Sequence, residues 1–266
     1  MLARMVMTGL VLGCAAAADA TGTAAASDAA VVELRQYKLV QGRGEAFVAL
    51  FDRTFVENQE ALGMRLVGQF RDLDDPDRFV WIRGFSDMAE RTTALNAFYF
   101  GPVWQAHRDE ANPMLDDNDN VLLLHPAAAD LAFGPAAPRA ASGTSAAPGG
   151  VVMATIVYLW KRPDAGFTAF FRAAMKPAIE AAGLPVLGAY VPEETPNGFP
   201  RLPVRPDTKV FVWFTRADDA AALDAALRRM EESPHWREHV APQLGGFEER
   251  APQRLRLAPT PRSALR

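Results

Sequence analysis

Three observations predict an α+β fold in which two β-α-β-β-α-β units pair their antiparallel sheets into an α/β barrel. The chain repeats itself. Each repeat alternates strand and helix periodicities in the same order, and each predicted sheet has a second face that another sheet must cover. At a constant offset of 120, Phe47, Phe51, Glu60, Ala61 and Gly63 fall on Phe167, Phe171, Glu180, Ala181 and Gly183. After a longer loop in the second repeat the offset becomes 132. Phe79-Val80-Trp81 then falls on Phe211-Val212-Trp213, and Pro102, Trp104 and His107 fall on Pro234, Trp236 and His239.

The elements follow in order. Val31 to Leu39 alternates as a strand and ends at Gln41-Gly42-Arg43-Gly44. Glu45 to Leu62 is predicted as a helix, because Phe47, Leu50, Phe51 and Phe55 recur at three- and four-residue steps, and Gly63 suits its C-cap. Met64 to Phe70 and Phe79 to Gly84 are strands separated by an Asp- and Pro-containing turn. Ser86 or Asp87 caps a helix running to about Tyr99, which Gly101-Pro102 breaks before a short helix carrying Trp104 and His107. Val121 to Leu124 is the fourth strand. The second repeat has strands at Val151 to Trp160, Val186 to Val191, Lys209 to Phe214 and Arg254 to Leu257, and helices at Asp164 to Ala182 and Asp218 to Glu232. Both units are therefore of the split, ferredoxin-like kind.

The organisation that results is a leader and tether over 1–30, a first domain over 31–125, a linker rich in Ala, Pro, Gly and Ser over 126–150, a second domain over 151–258 and a tail over 259–266. In the leader, a short positive start and an apolar run precede Val11-Leu12-Gly13-Cys14, a lipobox-like pattern that makes Cys14 the expected lipidation site. Export to the cell envelope follows, as a lipoprotein or as a soluble periplasmic protein. A misassigned start would leave a cytoplasmic protein. Cys14 is the sole cysteine, so no intrachain disulfide can form. The net charge of -4 and the lack of a basic stripe give no reason to expect nucleic acid. A membrane is expected only through the N-terminal lipid. Internal closure allows a monomer and leaves further association into a homo-oligomer open.

Alternation along the strands sorts the side chains into two faces. Taking Val32, Leu34, Val80 and Ile82 as the helix-facing set leaves Glu33, Arg35, Tyr37, Trp81 and Arg83 pointing into the space between the sheets. The equivalent residues of the second repeat are bland: Met153, Thr155 and Val157 replace Glu33, Arg35 and Tyr37, and Thr215 replaces Arg83. The expectation is a one-sided site, with polar groups from the first sheet and an apolar wall from the second. The plainer alternative is a buried Glu33–Arg ion pair that only specifies the fold.

The repeated Pro-x-Trp-x-x-His places Trp104 and His107, and again Trp236 and His239, on one face of a turn. Trp104 could stack on a flat substrate with His107 as a ligand or proton carrier, or the Trp could anchor its helix and leave the His at the surface. Asp116 to Asn120 lacks the spacing of a calcium loop. There is no paired Cys, no HExxH, no phosphate-binding glycine loop and no G-x-S-x-G, so no metal is expected and no catalytic set is specified.

The segments VELRQYKL (32–39), ALGMRLVGQFRDLDDPDRFVWIRGFSDMAER (61–91), FYFGPVWQAHRDEAN (98–112) and DNVLLL (119–124) resemble the NIPSNAP family across nearly all of 31–125. The second half looks like a diverged copy that departs in its first strand and in its 192–208 loop. The resemblance implies a dimeric α/β barrel, here closed within one chain, and carries no catalytic set with it. Related barrel families include heme-degrading and antibiotic-biosynthesis monooxygenases, which the resemblance associates with an inter-sheet cavity. The leading expectation is a protein that binds a small, partly aromatic or anionic molecule between the sheets. Arg35 and Arg83 would hold the anion, Tyr37 a polar oxygen, and Trp81 a ring. The rivals are a cofactor-independent or heme-related monooxygenase, with heme as its cofactor, and an interaction protein with a filled barrel.

Overall fold

The computed structural model describes residues 29–205 and 209–266, so the Cys14 reading lies outside the described residues. In the first repeat, β1 (Val31–Leu39) leads into α1 (Gly44–Leu50), a π-helical turn (Phe51–Phe55) and α2 (Val56–Ala61). Then come β2 (Arg65–Asp72), β3 (Arg78–Phe85), α3 (Met88–Tyr99), α4 (Pro102–Ala111), the short β4 (Leu115–Asp117) and β5 (Val121–Pro126). The second repeat runs β6 (Val151–Leu159), α5 (Ala165–Phe170), a π-helical turn (Phe171–Met175), α6 (Lys176–Ala181), β7 (Val186–Pro192) and β8 (Val210–Ala217). It ends with α7 (Ala220–Glu232), a third π-helical turn (Trp236–Val240), α8 (Ala241–Phe247) and β9 (Glu248–Pro259). Helix starts follow local chemistry. The carboxylates of Asp87, Asp164 and Asp219 accept from the backbone N–H groups of Glu90, Phe167 and Ala222. Gly63 and Gly183 close the first helical run of each repeat at φ +85° and +90°, a backbone region that disfavours side chains.

All pairings are antiparallel. The first sheet has the order β2-β3-β1-β5 and the second β7-β8-β6-β9. Each sheet joins the other at both edges, β5 with β7 and β2 with β9, so eight strands close into a barrel, and β4 lies beside the end of β1. The duplication is visible in register. Glu33↔Arg83, Arg35↔Trp81 and Tyr37↔Phe79 in one sheet correspond to Met153↔Thr215, Thr155↔Trp213 and Val157↔Phe211 in the other. Both repeats carry a bulge at equivalent places, between Leu66 and Gly68 and between Val186 and Gly188. A Cβ on Gly68 would sit 2.4 Å from the Phe70 ring, and one on Gly188 2.9 Å from the Tyr190 ring, so each bulge glycine makes room for an aromatic two residues on.

The structure reverses the assignment of faces. Val32, Leu34, Val80 and Ile82 point into the barrel, where they pack with Val152, Ala154, Ile156, Val210, Val212 and Phe214 as one apolar core. Glu33, Arg35, Tyr37, Trp81 and Arg83 lie on the opposite face, under the helices of the first repeat. The physical reason is that both faces of β1 are buried, so alternation separates two faces without saying which one is inside. An eight-stranded barrel is narrow enough for its own side chains to fill, and here the aliphatic set fills it. Among the described residues, the space between the sheets is filled by this apolar core. The polar set belongs instead to the sheet–helix layer, which has open edges.

Segments following the fourth strand of each repeat cover the ends of the barrel reciprocally. After β5, Phe133 packs on Tyr190 and Phe214 at ring distances of 4.8 and 4.9 Å, and its N–H donates to the Tyr190 hydroxyl. After β9, Thr260 and Leu265 donate their N–H groups to Gln69 and Val67 of β2. Arg139 of the linker ties the two segments, donating to the carbonyls of Leu66 and Arg262. Residues 127–133 and 259–266 are therefore packed against the barrel. Composition could not show this, because it depends on a few apolar residues, such as Phe133, among many small ones.

A buried arginine cluster beneath the first-repeat helices

The strand register sets this site. β1 presents Glu33, Arg35 and Tyr37 toward the helices, and neighbouring β3 presents Phe79, Trp81 and Arg83. Helix packing adds Gln59 from α2 and Arg91 from α3. Glu33 is at the centre: its Oε2 accepts from Arg35 Nη1 at 2.9 Å and Arg83 Nε at 2.6 Å, and its Oε1 accepts from Arg91 Nε at 2.7 Å. Arg35 Nε donates to the Tyr37 hydroxyl at 2.9 Å, Arg83 Nη1 to Gln59 Oε1 at 3.0 Å, and Arg91 Nη1 to Asn197 Oδ1 at 2.9 Å. Glu33, Arg35, Arg83 and Arg91 are all fully buried.

Burial alone would push the Glu33 carboxyl up, but the guanidiniums of Arg83, Arg35 and Arg91 together outweigh it and hold the group well below the usual carboxylate range. Tyr37 moves the other way. Burial pushes its phenol up to about 12 against the pull of Arg35, so it is neutral at pH 7. Among the described residues Glu33 is the only carboxylate paired with the three arginines. The cluster therefore carries two positive charges more than its partners neutralise. Arg35 Nη2, Arg83 Nη2 and Trp81 Nε1 are buried donors with no hydrogen-bond partner among the described residues. Both guanidiniums lie near the Trp81 ring, at 5.6 and 4.9 Å from its centre.

Above the cluster is a cleft of about 60 Å³ lined by Tyr37, Gln59, Trp81, Tyr99, Trp104 and Leu202 among others. Part of its cover comes from the second repeat. The longer connection between β7 and β8 brings Asn197 to Arg91, places Phe199 against Tyr99 at 5.6 Å and 24°, and sets Leu202 in the lining. Trp104 packs on Phe55, Phe98 and Tyr99 and borders the cleft. His107 is half-buried, lies edge-on to Phe55 at 6.3 Å, and has its Nδ1 3.6 Å from Glu110. It is not part of the lining. His239 is exposed beside His235.

Of the sequence-predicted set, Glu33, Arg35, Tyr37, Trp81 and Arg83 form one cluster, Trp104 stands at its rim, and His107 lies outside it. Arg91, Gln59, Asn197 and Phe199 were missed. Two of these had a signal: Arg91 shares a helical stripe with Ala94, Leu95 and Phe98, and Gln59 continues the stripe of Phe51 and Phe55. A polar residue on an apolar stripe that is then buried must find a partner. Asn197 and Phe199 had none, because their place is set by a loop crossing from the other repeat.

Residues 32–128 match the NIPSNAP family model. A comparison with curated proteins finds no match. Among solved structures the chain is similar to a putative monooxygenase from Lactobacillus acidophilus NCFM, at 11% identity and a TM-score of 0.52, over 87% of this chain and 96% of that one. It is also similar to an anthrone oxidase-like protein, at 11% identity and a TM-score of 0.54, over 89% and 93% of the two chains. These two likenesses show the fold of the whole barrel and nothing of its chemistry. A NIPSNAP-like domain protein from Burkholderia xenovorans is 25% identical with a TM-score of 0.36, over 40% of this chain and 91% of that one.

Proposed function

We propose that the sheet–helix cleft of the first repeat binds a small anion, or the anionic end of a partly aromatic molecule. The observation that carries this is the excess of buried positive charge: three guanidiniums face one carboxylate, and three donors are left without acceptors. An uncompensated buried charge is costly, and a carboxylate or similar anion would relieve that cost. Tyr37 and Trp81 line the cleft; Arg35 and Arg83, beneath that lining, hold the anion together with Trp81 Nε1, the Tyr37 hydroxyl meets a polar oxygen, and Glu33 fixes the guanidiniums. The closed cleft admits a small anion. A ring would enter by displacing Phe199 and taking its place against Tyr99.

Calorimetric titration with benzoate and with its neutral counterpart benzamide tests this. Benzoate binds with one-to-one stoichiometry and about tenfold or more tighter than benzamide, as expected for charge-assisted hydrogen bonds. Arg35→Met removes the preference. Equal binding of the two, or no binding of either, refutes the proposal.

A second reading, a cofactor-independent or heme-related monooxygenase, is favoured by the names of the two full-length structural neighbours. A heme titration separates it: a saturable Soret shift lost in His107→Ala supports it, and an unchanged spectrum removes the heme form. The envelope location expected from residues 1–30 belongs to the same proposal, and fractionation of the Cys14→Ala protein tests it by loss of membrane association.

A further inference from the structure

The second repeat has its own sheet–helix cleft, and it differs from the first at every polar position. Met153, Thr155 and Thr215 stand where Glu33, Arg35 and Arg83 do, and Ile179 and Leu223 take the places of Gln59 and Arg91. These shorter side chains leave a cavity of about 220 Å³, against about 60 Å³ in the first repeat. Trp213 on β8 and Trp236 after α7 form aromatic walls, with Met153 and Leu244 between them, and the more exposed Arg254 and Pro252 of β9 mark the mouth. The first repeat has only a short turn between β2 and β3, so no counterpart of the Asn197–Leu202 cover reaches this cleft.

The lining carries the charged pair of residues Glu248 and Arg254 and, deeper in the sheet, one buried polar atom without a partner. Thr155 lines the cavity, is 2% exposed, and its Oγ1 has no hydrogen-bond partner among the described residues. A largely apolar cavity that the protein's own side chains leave open and an unpartnered buried hydroxyl each cost stability, and one ligand would relieve both. The size is set by comparison: an engineered apolar cavity of roughly 150 Å³ holds benzene, so this one holds a somewhat larger ring system. The arginine cluster has no counterpart here, and Arg254 in the lining is matched by Glu248, so the cavity carries no surplus positive charge to favour an anion.

We propose that this second cleft binds a neutral two-ring aromatic molecule carrying one hydroxyl or carbonyl group, which exchanges a hydrogen bond with Thr155 between Trp213 and Trp236. The inference is independent of the anion site. It is tested by titrating the purified protein with 1-naphthol and with naphthalene, followed by tryptophan fluorescence. Both bind saturably, and Thr155→Val, which keeps the shape and removes the hydroxyl, weakens 1-naphthol about fivefold while leaving naphthalene unchanged. Leu244→Trp fills the cavity and removes both, and Trp104→Ala at the other cleft changes neither. Absence of saturable binding, an unchanged 1-naphthol affinity in Thr155→Val, or loss of binding in Trp104→Ala would each overturn the proposal.

Discussion

At the scale of single residues, Glu33 is the group on which the first cleft depends. It is the one carboxylate bonded to three buried arginines, so Glu33→Gln leaves them uncompensated and costs about 3–5 kcal/mol, read from urea unfolding. The pH sign follows from its lowered folded-state value. The contribution of Glu33 is fully present above the ordinary glutamate range and is lost as pH falls below about 4. Asp52, buried in the first π-helical turn, has the opposite sign. Burial pushes its carboxyl up to about 6, despite a hydrogen bond from Thr260 and the nearby charge of Arg262. Its ionisation therefore opposes folding, and stability falls as pH rises between about 4 and 6. Asp52→Asn is expected to stabilise the protein by about 2 kcal/mol at pH 7 and to match it at pH 4, where both side chains are neutral. A difference independent of pH would show that Asp52 keeps an ordinary titration in the folded protein.

At the scale of elements, the reciprocal covering of the barrel ends is the feature with the clearest energetic consequence. Phe133 is 4% exposed and seated on the bulge of the other repeat. Phe133→Ala should cost about 3–4 kcal/mol, as in a barrel core, although it lies in a stretch with the composition of a linker. Thermal unfolding checks this, and a loss under about 1 kcal/mol would return the segment to the role of a tether. The principal strands and main helices were legible in the sequence because period-two and 3.6-residue patterns are local. The short β4, helix α8 and the full length of β9 were not. Leu115–Asp117 is too short to show a period, and Glu248–Pro259 begins with polar residues whose pairing with β6 is set at a distance. The grouping of Glu33, Arg35, Tyr37, Trp81 and Arg83 was legible because residues two apart on a strand share a face. Their direction was read inversely, because a strand buried on both sides has no polar face to mark solvent.

At the scale of the whole molecule, duplication followed by divergence gives two clefts of unlike chemistry on one barrel. The seams β2–β9 and β5–β7, with the crossed end segments, make each repeat part of the other's core. The two halves should therefore unfold in one transition. In a variant retaining only Trp81 and Trp104, and in one retaining only Trp213 and Trp236, tryptophan fluorescence and far-UV circular dichroism should give the same urea midpoint within each variant. Separate midpoints would mean that the repeats fold as independent units.

The central claim is that the first cleft is an anion site built from a buried surplus of arginine charge. Diffraction from crystals soaked in bromide, collected at the bromine absorption edge, tests it most directly, because bromide is small enough to enter without moving Phe199. The account predicts an anomalous peak in contact with Arg35, Arg83 and Trp81 Nε1, lost in Arg35→Met. Bromide found only at the surface, with the cluster empty, would contradict it.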